Sequence, residues 1–130
     1  MRGNRKADTR PEVELRRLLH RAGLRYRKNA SIKLSGLVVT PDVVIRRRRL
    51  AIFVDGCFWH GCPEHFKLPK TNTHYWAAKI ERNRERDHRV TRALADAGWH
   101  VVRIWEHTRP EDAAQRVLAC VSTLQKEGVG

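Results

Sequence analysis

The residues of this chain able to do chemistry crowd into one stretch, Thr40 to His65, which reads TPDVVIRRRRLAIFVDGCFWHGCPEH. Asp42 heads one apolar run and Asp55 ends the next, with Cys57, Phe58, Trp59, His60, Cys62 and His65 close behind. A hydrophobic core has no use for so many polar groups at such close spacing, but two kinds of site do. Cys57, Cys62 and His65 supply two thiolates and an imidazole at the short spacing that tetrahedral zinc takes, and His107, just past a strand end at Trp105-Glu106, is the best candidate for the fourth ligand of a closed structural site. Structural zinc can contribute ~10–16 kcal/mol of apparent binding energy, enough to fix a loop with no core of its own. Asp42 and Asp55, brought to one edge of a sheet, suit a hard divalent ion such as magnesium, which nucleases use to activate water and to stabilise the phosphate undergoing attack.

Other residues carry two readings each. Histidine titrates near neutrality, so His60 suits proton transfer, and it can equally ligate zinc. Glu12 stands at the capping-box position of a first helix and is also a candidate catalytic carboxylate. Phe58 and Trp59 are adjacent and cannot both enter one core from an extended loop, so one of them is expected to face a base stack, where apolar wedges unstack and kink a duplex. Trp99 and Trp105, at strand positions, read as core.

The elements that must position these residues follow from periodicity and punctuation. Thr9-Arg10-Pro11-Glu12 is a helix start, Leu15, Leu18, Leu19 and Ala22 follow at helical spacing, and Gly23 stops the helix, which spans Arg10 to Ala22. Leu24 to Arg27 reads as a short strand and Asn29 to Gly36 as a loop or weak hairpin. Asp42 to Ile45 and Leu50 to Val54 are β-branched apolar runs joined by Arg46 to Arg49, which predicts two adjacent strands with a solvated basic turn, phosphate contact being the alternative role for those arginines. An antiparallel pair of this kind brings Asp42 and Asp55 to the same sheet edge. Cys57 to Thr73 is irregular. His74 to Ala97 reads as a long helix with Trp76, Ile80, Val90, Leu94 and Ala97 as its buried stripe. Its middle, ERNRERDHR, is polar all round, so part of it is expected to face a charged partner or the active site. His100 to Trp105 is a further strand and Pro110 to Lys126 a closing amphipathic helix. Cys120 falls in that helix's apolar pattern and reads as a small buried residue. The order predicts a single α/β sandwich around a mixed sheet.

Composition narrows the function. The chain has 130 residues, enough for one core. Lysine and arginine number 27 against 14 acidic residues, a formal charge of +13, and nucleic acid is the usual partner of such an excess. A structural or RNA-bound basic protein shares that charge but has no need of paired carboxylates. No apolar run approaches the ~20 residues that cross a bilayer, and MRGNRKADTR has no signal-like core, so a soluble intracellular protein is expected, with residues 1–9 as a basic N-terminal arm.

Read in order, MRGNRKADTRPE, LLHRAGLRYR, PDVVI, IFVDGCFWHGCPEH, KLPKTNTHYWAAKIERNRERD and AGWHVVRIWEH resemble the very-short-patch-repair (Vsr) DNA mismatch endonucleases over nearly the whole chain. The resemblance implies a restriction-endonuclease-like fold and hydrolysis of one strand of duplex DNA 5′ to the thymine of a T·G mismatch. It implies that Asp42 and the main-chain carbonyl of Val54 hold magnesium, that His60 is the catalytic histidine and Glu12 the N-terminal glutamate, that Phe58, Trp59 and Trp76 wedge into DNA, and that Cys57, Cys62, His65 and His107 bind structural zinc. It further implies a monomer, with mismatch-repair proteins as candidate partners, working in the cytoplasm or nucleoid. Departures are specific. The family pattern has a histidine where Asp55 stands, making Asp55 a further metal-facing carboxylate or a change in proton transfer. It has a cysteine where His107 stands. Related restriction enzymes carry a lysine at the place of Cys57, a role left here to His60. The rivals are a restriction-type or selfish-element nuclease of the same fold and a catalytically silent, zinc-containing DNA-binding module.

Overall fold

The computed structural model describes residues 9–56 and 67–129, with side chains described through residue 124. Residues 1–8 of the arm, and Cys57, Phe58, Trp59, His60, Cys62 and His65, lie outside the described residues.

The first helix, α1 (Arg10–Arg21), carries Pro11 in its first turn and buries Leu15 and Leu19 at helical spacing. Its expected capping box does not form, because Thr9 makes no side-chain hydrogen bond to the helix end. Glu12 shares the inward face with Leu15, Arg16 and Leu19 and is 1% exposed, so its carboxylate lies in the interior, 3.7 Å from Arg16 Nη1.

Six strands follow among the described residues: β1 (Arg27–Lys28), β2 (Ile32–Leu34), β3 (Leu37–Val39), β4 (Val43–Ile45), β5 (Leu50–Asp55) and β6 (His100–Trp105). The predicted Leu24 to Arg27 strand is shorter and lies later, and the weak hairpin is β2 and β3, turning at Gly36 with φ +73. The main sheet has the order β1-β4-β5-β6, with β1 and β5 antiparallel to β4 and β6 parallel to β5. The basic turn between β4 and β5 is a single 3-10 turn, Arg46–Arg48, closed by Arg49 in the left-handed region. The crossover from β5 to β6 runs through α2 (Thr73–Asp96), and α3 (Pro110–Val129) closes the chain.

Strand alternation divides the interior. Val43, Ile45, Leu50, Ile52, Val54, Val102 and Ile104 meet Leu15 and Leu19 of α1 and Ala113, Ala114, Val117 and Val121 of α3. The intervening residues Val44, Ala51, Phe53 and Val101 meet Leu94 and Val90 of α2, Trp99, and Ile32 and Val39 of the hairpin. The result is the expected mixed α/β arrangement, a mixed sheet with helices on both faces. Of the stripe expected on α2, Ile80 and Leu94 are buried and Val90 and Trp76 half-buried, whereas Ala97 is exposed because the helix has already ended there. Trp99 is core as expected, Trp105 half-buried, and Cys120 half-buried against the α1–α3 core. No described helix is long and apolar enough to cross a membrane.

Candidate active site

The register of β4 on β5 pairs Val43 with Ile52. Carried on by two residues, it sets Pro41 opposite Val54. Proline has no N–H, so the ladder cannot continue past this point. The Asp42 carboxylate takes over: its Oδ2 accepts the Val54 N–H at 2.6 Å in a buried hydrogen bond. Asp42 is 3% exposed, and its carbonyl accepts the N–H of Asn29 just past β1, which pins the residue between two strands. In a strand the N–H and C=O of one residue point to the same side, so the Val54 carbonyl faces the side on which Asp42 lies.

Asp55 ends β5 at the same end of the sheet, as the antiparallel pairing predicts, and its carbonyl accepts the N–H of Glu106 at 2.9 Å. Its side chain has a partner that sequence reasoning missed. Arg103, on β6, gives Nη1 to both carboxylate oxygens, at 3.1 and 3.2 Å. The same guanidinium donates from Nε to Thr91 Oγ1 at 2.9 Å and from Nη2 to the Asp87 carbonyl at 3.3 Å, and it stacks 4.2 Å from the centre of the Phe53 ring. All five groups lie on the α2 side of the sheet, since Phe53 and Arg103 are paired across the parallel ladder. Two signals pointed there: one arginine in the otherwise apolar run VVRIW, and Asp87 and Thr91 one helical turn apart within or beside the polar middle of α2. Of that polar middle, Asp87 turns toward the chain's own Arg103, while Asn83 is half-buried and the rest is exposed.

Glu12 reaches this end of the molecule by topology. Only Ala22 to Tyr26 separate α1 from β1, so the chain reverses between them. Because β1 runs toward Asp42, the N-terminal turn of α1 lies at the Asp42 end. His107 follows β6 in an exposed turn at that end, closed by the Thr108 N–H on the Trp105 carbonyl. It is the one candidate zinc ligand among the described residues. Trp76 is half-buried in the first turns of α2, edge-to-face with the exposed Tyr75 at 5.1 Å between ring centres.

Asp42, Asp55 and Glu12 thus lie toward one end of the sheet, all three buried, Asp42 held by a backbone N–H and Asp55 by an arginine, with Glu12 on the α1 face and Asp55 on the α2 face; among the described residues no group of three or more histidine, cysteine or acidic side chains is placed to hold a metal ion. A basic α/β domain that places buried carboxylates at the end of its sheet belongs to a class suited to phosphodiester chemistry, where carboxylates seat a hard cation and the basic exterior attracts the polyanion.

The comparisons with known proteins give the family. Residues 1–65 match the profile of DNA mismatch endonuclease Vsr. The type II nicking enzyme V.NaeI of Lentzea aerocolonigenes is 48% identical over 125 residues, covering 95% of this chain and 74% of that one. The type II nicking enzyme V.XorIIP of Xanthomonas oryzae pv. oryzae is 47% identical over 103 residues, or 78% and 73%. DNA mismatch endonuclease Vsr of Escherichia coli K12 is 39% identical over 107 residues, or 82% and 66%. The chain belongs to the Vsr DNA mismatch endonuclease family and is an endonuclease acting on DNA phosphodiester bonds.

Proposed function

We propose that this endonuclease nicks one strand of duplex DNA 5′ to the thymine of a T·G mismatch, in a magnesium-dependent hydrolysis on a restriction-endonuclease-like fold. The observation that carries the reading is the Asp42–Val54 arrangement: a buried carboxylate fixed through one oxygen by a backbone N–H, at the point where Pro41 ends the ladder. Asp42 and the Val54 carbonyl are the groups that would hold magnesium, with Asp55 as the neighbouring carboxylate. Magnesium bound there supplies Lewis-acid stabilisation of phosphate charge and a more acidic water. A carboxylate has about four lone-pair sites, so the guanidinium on Asp55 does not exhaust its capacity to face a cation.

The protein's own groups do the rest. His60 accepts or returns the proton at the phosphate, and Glu12 supports it from the start of α1. Phe58, Trp59 and Trp76 select the mismatch by wedging into a locally weakened stack, where unstacking costs least. Zinc on Cys57, Cys62, His65 and His107 anchors the loop that carries His60 and the aromatics and takes no part in the reaction.

The test is a nicking assay on a labelled duplex with a mismatch panel. The T·G strand is expected to be cut once with magnesium and not in EDTA, and Asp42→Ala to be inactive while still binding the duplex. Equal cutting of matched DNA overturns the mismatch assignment, scission of both strands favours the restriction-type reading, and identical behaviour of Asp42→Ala and wild type overturns the catalytic site.

A further inference from the structure

The strands that bring the carboxylates to one end of the sheet send a second group of charges to the other. Arg46, Arg47, Arg48 and Arg49 form the β4–β5 turn, six residues of strand before Asp55. At ~3.3 Å per residue that turn stands roughly 20 Å from the carboxylate end. The β1–β4 register pairs Arg27 with Val44, and carried back two residues it sets Arg25 level with Arg46. Arg21, in the last turn of α1, lies at this pole because α1 and β1 meet there. Arg21, Arg25, Arg46, Arg47 and Arg49 are exposed and Arg48 half-buried.

Two of these side chains have partners among the described residues, and neither partner is a carboxylate. Arg46 Nη2 donates to the Ser31 carbonyl at 3.2 Å, Arg49 lies 5.7 Å from the centre of the Trp99 ring, and the Arg49 carbonyl accepts the His100 N–H at 2.8 Å, tying the turn to the start of β6. The ion pairs among the described residues, Arg10–Glu14, Arg16–Glu12, Arg103–Asp55, Arg103–Asp87 and Arg109–Glu111, all lie elsewhere. Asp96, at the end of α2, is the acidic residue among the described side chains that topology brings to this pole, and the C-terminal turns of α3, which include Glu127, run to it as well. Every charge in the cluster is a guanidinium, whose planar fork matches phosphate oxygens better than an ammonium does.

We infer that this arginine pole is a second, non-catalytic binding surface for duplex DNA. It is too far from the carboxylates to touch the phosphates flanking the scissile bond of a straight duplex, so it engages another segment. A protein with two DNA surfaces can pass directly from one segment to another before letting go of the first, which hastens search on long DNA. The inference takes DNA as ligand from the family and does not depend on the mismatch or on magnesium.

The experiment follows a fluorescent matched duplex leaving the full-length protein as unlabelled duplex is raised. With wild type the dissociation rate rises in proportion to competitor concentration, because the competitor binds before the first duplex leaves. In the triple variant R21Q/R25Q/R47Q, all exposed positions outside the catalytic end, that proportionality falls more than tenfold. Second-duplex binding in the variant has a log K against log salt slope shallower by about 3, since each lost phosphate contact removes ~0.9. Single-turnover nicking of a short T·G duplex stays within twofold of wild type, which also shows that the variant is folded. A wild-type dissociation rate independent of competitor overturns the inference and leaves an acidic protein as the pole's remaining partner; so does a variant that keeps the competitor dependence. Failure of the nicking arm in wild type counts instead against the proposed reaction.

Discussion

Replacing Arg103 by methionine isolates what its guanidinium does. The change keeps much of the aliphatic volume and removes the two contacts to Asp55, the bond to Thr91 Oγ1, the bond to the Asp87 carbonyl and the stacking on Phe53. The Asp55 side chain is 8% exposed, so its charge is left in the interior with its principal cation gone. Removing one partner from a fully buried pair costs ~3–5 kcal/mol. The Arg103 side chain is 23% exposed, so water screens part of the interaction and the expected loss is ~2–4 kcal/mol. At roughly 4 °C per kcal/mol for a chain of this size, the melting temperature falls by about 8–16 °C. Urea titration of wild type, R103M, D55N and D55N/R103M measures the effect, and the double variant should recover ~1–2 kcal/mol over the sum of the single losses because it has no buried charge to strand. An R103M loss below about 0.5 kcal/mol, or strict additivity in the cycle, would refute the view that Arg103 holds Asp55.

Two more expectations concern the scaffold and the loop. Leu19 is fully buried between α1 and the sheet, so Leu19→Ala should cost ~2–5 kcal/mol in chemical denaturation with the slope unchanged; a loss under 1 kcal/mol would mean that α1 does not pack there in solution. The purified protein should carry equimolar zinc by atomic absorption, and Cys62→Ser should lower both the zinc content and the melting temperature; a metal-free wild type of equal stability would remove the zinc assignment.

The parts of the fold that the sequence made legible are those where one local signal sufficed. Leu15, Leu18 and Leu19 repeat at helical spacing, and the runs on either side of Arg46–Arg49 are apolar and β-branched, so α1, β4 and β5 follow from pattern alone. The antiparallel return that carries Asp42 and Asp55 to one end is a consequence of that short turn. What sequence could not give is the identity of partners across the sheet. Glu12 met every local condition for a capping box, yet inward placement beside Leu15 and Leu19 decided its role, and burial is a tertiary fact. Arg103 becomes the partner of Asp55 only because β6 runs parallel to β5 in one particular register, which local periodicity does not encode. The role of Pro41 likewise emerges from pairing: proline is unremarkable before a strand and decisive opposite Val54.

The two carboxylates, alike in sequence, have been given different electrostatic settings, and the two poles of the molecule differ in the same way. Asp42 accepts an uncharged backbone N–H, while the Asp55 carboxylate accepts two contacts from a guanidinium. A formal charge of +13 suggests a general field that draws phosphate to the carboxylate end from the far pole. Ions limit that field to a Debye length of about 8 Å at physiological salt. The arginine pole stands more than two such lengths from Asp55 at the strand rise of ~3.3 Å per residue, so its attraction is spent long before it reaches the carboxylates. Its charges act only on what comes within a few ångströms of them, so a set of six arginines with no carboxylate partner among the described side chains contributes through direct contact with phosphate at that pole, independently of the chemistry at the other.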